Sequence, residues 1–347
     1  MQGVSFAGNR TVKMIAVDDP RPGRGEVVLA MRASGMCGSD LHYYRSASGS
    51  GGPVASEKDA GPVIAGHEPC GDVIAVGEGV AVGDARIGMR AMVHHYWGCS
   101  SCDHCRSGWA QMCTEVQPHI YGVNRHGGHA PYLKVPARTL VHLPDELSYA
   151  AGAAISCGTG TAFFALKRMG LAGRETIAVF GQGPVGLAAT QLAVAQGARV
   201  IALDISPERL AHADRLGAWR TLNSADVDPV AAIREITGGG VEMAMDTSGV
   251  TAVRGQAVKS VKAWGTVGLV GAGGDLRIAI ADVMRKQVTI MSSWTFPNTG
   301  QSECARFVSD RGIDVEAVFT NRWKLDEADQ AYKLFDQQKT GKGVFLL

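Results

Sequence analysis

The apolar positions of this 347-residue chain change their rhythm twice. Up to about residue 150 the chain has short strand-like runs separated by glycine and proline, a pattern typical of a β-rich segment. Strands are predicted at 26–31, 70–76, 90–93 and 130–135. Beyond this point short apolar runs alternate with amphipathic stretches, at 176–180, 185–196, 200–204, 207–216, 242–246 and 266–270. That alternation predicts a parallel sheet with helices on both faces.

The end of the chain returns to the first pattern. After about residue 291 the sequence predicts helices near 301–309 and at 326–338, and a strand at 343–347. A chain of this length exceeds what one hydrophobic core usually organises. We therefore predict an α/β protein with a β-rich domain at 1–150 and a doubly wound parallel-sheet domain at 151–290. The remaining segment, 291–347, is predicted to pack back on the first domain.

Composition and charge narrow the class of protein. The formal net charge is +1, so a nucleic-acid or anionic-membrane partner is not expected. The N-terminus lacks the charged start and apolar run of a signal peptide. Residues 176–198 carry no charge over roughly the length of a membrane span, but their glycines, proline and glutamines favour a buried strand, turn and helix. We expect a cytoplasmic protein without a membrane partner.

Glycine exceeds its usual share of about 7%. The chain has 45 glycines, dispersed without a period, which indicates turns and close approaches of the backbone to a ligand. The run Ser-Ala-Ser-Gly-Ser-Gly-Gly at 46–52 predicts a mobile loop.

Four of the eight cysteines form one motif. Cys99, Cys102, Cys105 and Cys113 are spaced C-x2-C-x2-C-x7-C within a polar stretch that cannot form its own core. Four thiolates at this spacing can surround one zinc ion and leave no open position, which predicts a structural zinc site. An iron–sulfur cluster accepts the same four ligands and is the alternative.

A second set of possible metal ligands is spread along the chain. Cys37, His67 with its neighbour Glu68, and Cys157 together offer two thiolates, an imidazole and a carboxylate. Two thiolates and one imidazole leave a fourth position on zinc open, which is the arrangement of a catalytic site.

A glycine fingerprint lies at the start of the α/β segment. Gly181, Gly183 and Gly186 form G-x-G-x-x-G between a predicted strand and a predicted helix, with Pro184 and Val185 inside the motif. Asp204 ends the next predicted strand. The glycines allow a tight turn, a close approach to a pyrophosphate and close helix packing, while the acidic residue accepts hydrogen bonds from a ribose. A carboxylate at that point would repel a 2′-phosphate, so NAD is predicted over NADP.

In this order the motifs resemble those of the zinc-containing medium-chain dehydrogenases/reductases, the family of alcohol, sorbitol and threonine dehydrogenases. Cys-Gly-Ser-Asp at 37–40, Gly-His-Glu at 66–68, the four-cysteine lobe and the fingerprint carry the resemblance over nearly the whole chain. It implies a GroES-like catalytic domain, with the zinc lobe at about 95–115, and a Rossmann domain. It further implies two zinc ions per chain and hydride transfer between an alcohol or polyol and NAD.

The resemblance also implies roles for single residues. Cys37, His67 and Cys157 would bind the catalytic zinc, with Glu68 behind the metal. Cys-Gly at 157–158 matches alcohol dehydrogenases, whereas polyol and threonine dehydrogenases typically have Glu-Pro there. Ser39 and His42 would pass the substrate proton by way of the cofactor ribose to solvent. Further cofactor contacts are expected from Thr161, Arg209, Val270 and Ser293.

The substrate is not specified by these motifs. His94 and His95 fall where the family has pocket residues, and an aromatic-walled pocket is suggested by Tyr43, Tyr44, Trp97, Trp294 and Phe296. A sugar, a polyol, an amino alcohol such as threonine and a simple secondary alcohol all remain open. The sequence also leaves open whether Glu68 coordinates the metal directly.

Two other classes of protein are weaker alternatives. A non-enzymatic zinc and nucleotide redox sensor would not need Ser39, His42 and an open metal site. A zinc-free quinone reductase would lack the metal ligands. By resemblance we expect a homo-oligomer, a tetramer or a dimer.

Overall fold

The computed structural model describes residues 1–47 and 61–347; most of the loop predicted at 46–52 lies outside this part of the chain. The described residues form two compact units. Unit 1 comprises Met1–Gly160, Phe296–Gln337 and Lys342–Leu347, and unit 2 comprises Thr161–Thr295 and Gln338–Gly341.

The unit boundaries differ from the predicted 150/151 and 290/291. A helix is continuous across the first of these positions, so the chain does not change unit until after Gly160. Residues 338–341 join unit 2, where the Thr340 carbonyl accepts a hydrogen bond from Arg209 Nε at 3.1 Å.

The strands, numbered along the chain, are β1 Gln2–Gly8, β2 Thr11–Ala16, β3 Glu26–Gly35, β4 Glu68–Val76, β5 Arg90–Val93, β6 Tyr96–Trp97, β7 His119–Ile120, β8 Tyr132–Pro136, β9 Leu140–His142, β10 Thr176–Phe180, β11 Arg199–Asp204, β12 Arg220–Asn223, β13 Val241–Asp246, β14 Val261–Leu269, β15 Thr289–Ser292, β16 Phe319–Trp323 and β17 Lys342–Leu346.

The α-helices are α1 Asp40–Arg45, α2 Asp103–Arg106, α3 Tyr149–Ala154, α4 Gly160–Met169, α5 Pro184–Ala195, α6 Pro207–Arg215, α7 Pro229–Thr237, α8 Thr251–Ser260, α9 Ile280–Met284, α10 Asn298–Asp310 and α11 Ala328–Asp336. A π-helical turn, Ile155–Thr159, links α3 to α4. Short 3₁₀ turns lie at Ala110–Met112, Ala137–Thr139, Val315–Val318 and Leu325–Glu327.

The central sheet of unit 1 is built around β3. Its strand order is β16-β17-β3-β4-β5-β9, and β8 also pairs with β3. Alternate residues of these strands, such as Val27, Leu29 and Val73, are buried in one apolar core. The last strand, β17, pairs antiparallel with the end of β3, opposing Val344 to Gly35, while β4 opposes Glu68 to the same glycine. Two distant parts of the chain therefore meet at Gly35.

Unit 2 contains the six-stranded parallel sheet, in the order β12-β11-β10-β13-β14-β15. This is the order of a doubly wound dinucleotide-binding fold, in which the first strand lies at the centre and the chain reverses beside it. Every residue of β10 is buried, as expected for a strand covered on both faces. The predicted α/β fold class is confirmed.

One continuous helix, residues 149–169, is long and apolar enough to cross a membrane by length and composition alone. Of its most apolar window, 83% is buried inside the protein, which is typical of a core helix. The uncharged stretch at 176–198 forms the strand β10, a turn and the helix α5.

Candidate metal centres and nucleotide-binding edge

The four lobe cysteines converge on one point. Their sulfur atoms all lie within 4.8 Å of one another, with Cys99 Sγ 3.9 Å from Cys105 Sγ and Cys102 Sγ 4.0 Å from Cys113 Sγ. A tetrahedral zinc ion with bonds of about 2.3 Å separates its sulfur ligands by about 3.8 Å. The spacing of the four thiols therefore fits a zinc ion bound by sulfur alone.

The backbone around the lobe supports thiolate at Cys99. The Ser101 hydroxyl lies 3.3 Å from Cys99 Sγ, and the amides of Ser101 and Cys102 also donate to it. These hydrogen bonds, the hydroxyl's first, lower the pKa of Cys99 to about 6. Gly98 leaves the necessary room, because a Cβ there would lie 2.7 Å from Cys105 Sγ.

The second group of ligands assembles within unit 1. Ligand atoms of Cys37, His67, Glu68 and Cys157 lie within 4.8 Å of one another, and the two sulfur atoms are 3.9 Å apart. Cys37 follows the end of β3, and His67 and Glu68 stand at the start of its partner β4. Cys157 lies in the π-helical turn, an irregularity that often marks functional sites in helices.

Hydrogen bonds prepare this group for a cation. The hydrogen bond with Cys157 holds the pKa of the buried Cys37 thiol well below its usual value. His67 Nδ1 is 3.0 Å from Asp40 Oδ1, so the ring donates its Nδ1 proton to the carboxylate and keeps the Nε2 lone pair for the cluster. The Cys37 amide donates to Asp40 Oδ2 at 2.9 Å, which fixes that carboxylate.

Glu68 is buried beside the cluster and paired with Lys342. Lys342 Nζ donates to Glu68 Oε1 at 2.7 Å and to the Met36 carbonyl at 2.9 Å. It also lies 2.5 Å from Glu68 Oε2, but this second oxygen accepts no hydrogen bond among the described residues. Gly35 makes space for it, since a Cβ there would overlap Oε2. An incompletely satisfied buried carboxylate oxygen beside two thiols and an imidazole fits a divalent cation.

Ser39, one of the two residues expected to move the substrate proton, contacts this cluster. Ser39 Oγ is 3.5 Å from His67 Nε2, and Ser39 is exposed. His42 is one helical turn further along α1 and is also exposed. Its ring packs edge-on against Tyr43.

The aromatic residues suggested as pocket walls differ in burial and in the unit to which they belong. Tyr44 and Phe296 are each 1% exposed, and Tyr44 packs with Phe6 and Tyr332 in the core, so it does not line a pocket. Trp294 is 56% exposed and belongs to unit 2. His95 is buried with its ring centroid 5.2 Å from that of His67, and its Nδ1 lies 3.1 Å from the Ser156 carbonyl.

Four of the residues expected to contact the cofactor lie at one edge of the unit 2 sheet. Gly181, Val270 and Ser293 each directly follow a parallel strand, and Asp204 ends one. Ligands of open α/β sheets bind at this carboxyl edge. The hydroxyl of Ser293 is buried and has no hydrogen-bond partner among the described residues. Thr161 and Arg209 are buried in α4 and α6 of the same unit.

The fingerprint glycines differ in what surrounds them. Gly181 has φ +89°, in the left-handed region that favours glycine, and a Cβ on Gly186 would lie 1.8 Å from the Gly181 carbonyl oxygen. A Cβ on Gly183 would meet no atom within 4 Å. Pro184 and Val185 begin helix α5, where proline is favoured because the first amide has no partner within the helix.

Asp204 holds the fingerprint loop as well as facing the edge. Its Oδ2 accepts the Gln182 amide at 2.6 Å, and its Oδ1 accepts the amides of Ile205 and Ser206 at 2.8 and 2.9 Å. The side chain is therefore oriented before any ligand arrives.

Two residues of the metal cluster's surroundings were missed from the sequence. Asp40 lies within the Cys-Gly-Ser-Asp motif, three residues after the candidate ligand Cys37, and an acidic residue that close to a candidate ligand was the available signal. Lys342 carries no such signal, because only the pairing of β17 with β3 brings it to Glu68.

Comparison with known proteins agrees with these features. Residues 23–145 match the model of the alcohol dehydrogenase GroES-like domain, and residues 184–310 match the zinc-binding dehydrogenase model. The chain is 38% identical to an uncharacterized zinc-type alcohol dehydrogenase-like protein, YphC, of Escherichia coli K12, over 99% of this chain and 98% of that protein.

Two further relatives extend the comparison. The chain is 30% identical to sorbitol dehydrogenase of Bacillus subtilis, over 95% of this chain and 92% of that protein. Its structure resembles that of alcohol dehydrogenase TADH from Thermus sp. ATN1, with a TM-score of 0.89, 28% identity and coverage of 100% and 99% of the two chains. The chain therefore belongs to the zinc-containing medium-chain dehydrogenases/reductases and is a zinc-dependent alcohol or polyol oxidoreductase.

Proposed function

We propose that this protein oxidises the secondary hydroxyl of a small alcohol or polyol, or reduces the matching carbonyl, with NAD as hydride partner. The observation that carries the proposal is the convergence of Cys37, His67 and Cys157 on one point, with Glu68 held behind them by Lys342. These three residues would hold a catalytic zinc ion, and the lobe cysteines a second, structural one.

The metal and the cofactor supply the chemistry that side chains cannot. A bound zinc ion would supply a Lewis acid that lowers the pKa of the substrate hydroxyl, and a bound nicotinamide would supply the acceptor for hydride from the carbinol carbon. Before hydride transfer, Ser39, beside His67 Nε2, would accept the substrate's hydroxyl proton while giving up its own. That proton would pass by way of the cofactor ribose to the exposed His42, which would release it to solvent.

The choice of NAD rests on Asp204. Three backbone amides fix its carboxylate at the sheet edge, where an adenosine ribose would present its 2′ and 3′ hydroxyls. A carboxylate accepts hydrogen bonds from hydroxyls and repels a phosphate. Thr161, Arg209, Val270 and Ser293 would contribute further contacts along the same unit.

The names of the relatives do not single out one substrate. Those reported above are named for alcohol and sorbitol. His95, buried beside His67, would offer its second ring nitrogen to a hydroxyl of the substrate other than the one that reacts. This favours a substrate with more than one hydroxyl group. The protein is proposed to act in the cytoplasm.

We also propose a homo-oligomer. Strand β15 is the last strand of the unit 2 sheet, and Trp264, Ile280 and Met284 of the same unit are 77%, 71% and 61% exposed. A free sheet edge near exposed apolar side chains is the kind of surface that a second copy covers.

A turnover screen of the wild type and of a variant that lacks one candidate metal ligand tests the proposed function. Formation of NADH would be followed with secondary alcohols, polyols, aldoses and threonine, using the wild type, Cys157→Ser and the control Cys304→Ala. Cys304 is a buried thiol outside both clusters. We expect turnover with at least one substrate class, near-normal activity in the control, and loss of turnover with retained NAD binding in Cys157→Ser. Full metal and activity in Cys157→Ser would instead make Glu68 the third ligand.

A further inference from the structure

A chain of buried hydrogen bonds extends from His67 into the core of unit 1. Beyond Asp40, the Tyr332 hydroxyl lies 3.1 Å from Asp40 Oδ2, and His129 Nε2 lies 2.8 Å from the Tyr332 hydroxyl. Ser34 Oγ closes the chain at 2.7 Å from His129 Nδ1. Ser34, His129 and Tyr332 are each 0% exposed. Helix α11, near the end of the sequence, is thus connected to a candidate metal ligand.

The direction of each hydrogen bond follows from the groups involved. A carboxylate only accepts, so Tyr332 donates its single proton to Asp40. His129 must then donate its Nε2 proton to the Tyr332 oxygen, and its Nδ1 accepts from Ser34. Burial lowers the pKa of His129 to about 4, in agreement with this neutral tautomer. All donors therefore point the same way, toward Asp40.

The backbone that carries His67 also packs on His129. The His129 amide donates to the Ala65 carbonyl at 3.0 Å, and the Gly128 amide donates to the Gly66 carbonyl at 2.7 Å. Gly66 has φ +93°, and a Cβ there would lie 2.3 Å from His129 Nδ1. The glycine of the Gly-His-Glu motif is thus explained by the ring behind it.

We propose that Tyr332 and His129 are positioning residues that hold Asp40, and through it the His67 ring, in the orientation that binds the catalytic metal. This inference rests on the proposed function, because it takes His67 as a metal ligand. Asp40 Oδ2 is held on two sides, by the Cys37 amide and by Tyr332. Loss of the tyrosine hydroxyl removes one of these and leaves the His129 Nε2 proton unpaired.

The test compares zinc release from the two sites of one protein. Zinc-loaded protein would be titrated with a competing chelator, and the ion in the four-cysteine lobe serves as internal reference. Outer-sphere partners of metal ligands typically contribute 10–100-fold to affinity, and we expect Tyr332→Phe to weaken the Cys37–His67–Cys157 site by roughly tenfold. The lobe affinity should not change.

The matched control is Tyr44→Phe. Tyr44 packs against Tyr332 in the same apolar cluster, at a ring-centroid distance of 5.7 Å. Removal of the Tyr44 hydroxyl leaves the Tyr332–Asp40 hydrogen bond in place. It should leave both zinc affinities at wild-type values. Equal zinc affinities in Tyr332→Phe and Tyr44→Phe would overturn the proposal, as would a parallel fall at both zinc sites of Tyr332→Phe.

A double variant tests whether Tyr332 acts through Asp40. In an Asp40→Asn background, Tyr332→Phe should weaken zinc binding much less than in the wild type, since coupled residues give non-additive effects. Additive effects would contradict action through Asp40. His67→Ala distinguishes a failure of the proposed function from a failure of this inference: if it leaves zinc stoichiometry unchanged, His67 is not a metal ligand and the proposed metal site is wrong, whatever the tyrosine variants do.

Discussion

At the scale of single residues, we expect the cofactor preference to depend most on Asp204. Replacing it by alanine should weaken NAD binding and relieve repulsion of NADP, since charge-assisted hydrogen bonds contribute roughly 1.5–3 kcal/mol. The ratio of kcat/KM for NAD over NADP should narrow at least about tenfold, which needs ~1.4 kcal/mol. Adding Ile205→Arg, at a side chain that is 71% exposed, should shift the ratio further without disturbing packing.

The control for this experiment is the stability of the variant. Asp204 also accepts three backbone amides, so Asp204→Ala should lower the melting temperature as well as change the cofactor ratio. Ile205→Arg alone should leave melting unchanged. A cofactor ratio that does not move in Asp204→Ala would show that Asp204 does not contact the ribose.

The candidate metal ligands could be predicted from the sequence, whereas the residues that orient those ligands could not. Cys37, His67 and Cys157 lie in short motifs that metal chemistry makes recognisable. Lys342 and Tyr332 lie more than 250 positions from their partners Glu68 and Asp40, and no local pattern marks them. Their contacts arise only when the last elements of the chain pack on β3 and α1, which is a property of the fold.

At the scale of elements, the zinc lobe should depend on its metal for structure. Its short helix α2 buries no residue, so packing alone cannot hold the segment. Cys105→Ser should reduce the zinc content by one ion per chain and lower the melting temperature. Zinc content by elemental analysis and thermal melting would measure both effects.

The Cys304→Ala variant supplies the comparison for the lobe. It removes a fully buried thiol without touching either cluster, so it should retain all zinc. Full zinc and wild-type melting in Cys105→Ser would rule out a structural ion at the lobe.

The fingerprint loop offers a prediction that separates folding from binding. Gly183→Ala should leave the melting temperature nearly unchanged, because its Cβ would meet no atom within 4 Å, yet weaken NAD binding by obstructing the approach of the pyrophosphate. Gly186→Ala should instead destabilise the protein, because its Cβ would collide with the Gly181 carbonyl. Calorimetry and NAD titration of the two variants would check this. Equal effects of the two substitutions on stability would contradict it.

Strand prediction succeeded best where a compact apolar run is bounded by turns. The sequence located β10 and β5 at their observed bounds, since most of their residues are apolar. It missed β2 and β12, whose residues are largely exposed or half-buried, and also the mostly buried β1. Edge and surface strands lack the apolar pattern on which such predictions depend.

At the scale of the whole molecule, the proposed function assigns a different role to each unit. Unit 1 contains both cysteine clusters, and unit 2 contains the glycine fingerprint and Asp204. The proposed function accounts for the presence of metal ligands and a dinucleotide fingerprint in one chain.

The most direct test of the proposed function is whether hydrogen passes from the substrate to the cofactor. The wild-type enzyme would be given an alcohol or polyol, chosen from the turnover screen, that carries deuterium on the carbinol carbon. We predict NADH that contains one deuterium from the substrate, detected by mass spectrometry, and no such product with His67→Ala. Absence of reduced nicotinamide with every substrate class, or NADH whose hydrogen comes from solvent, would contradict hydride transfer as the function of this protein.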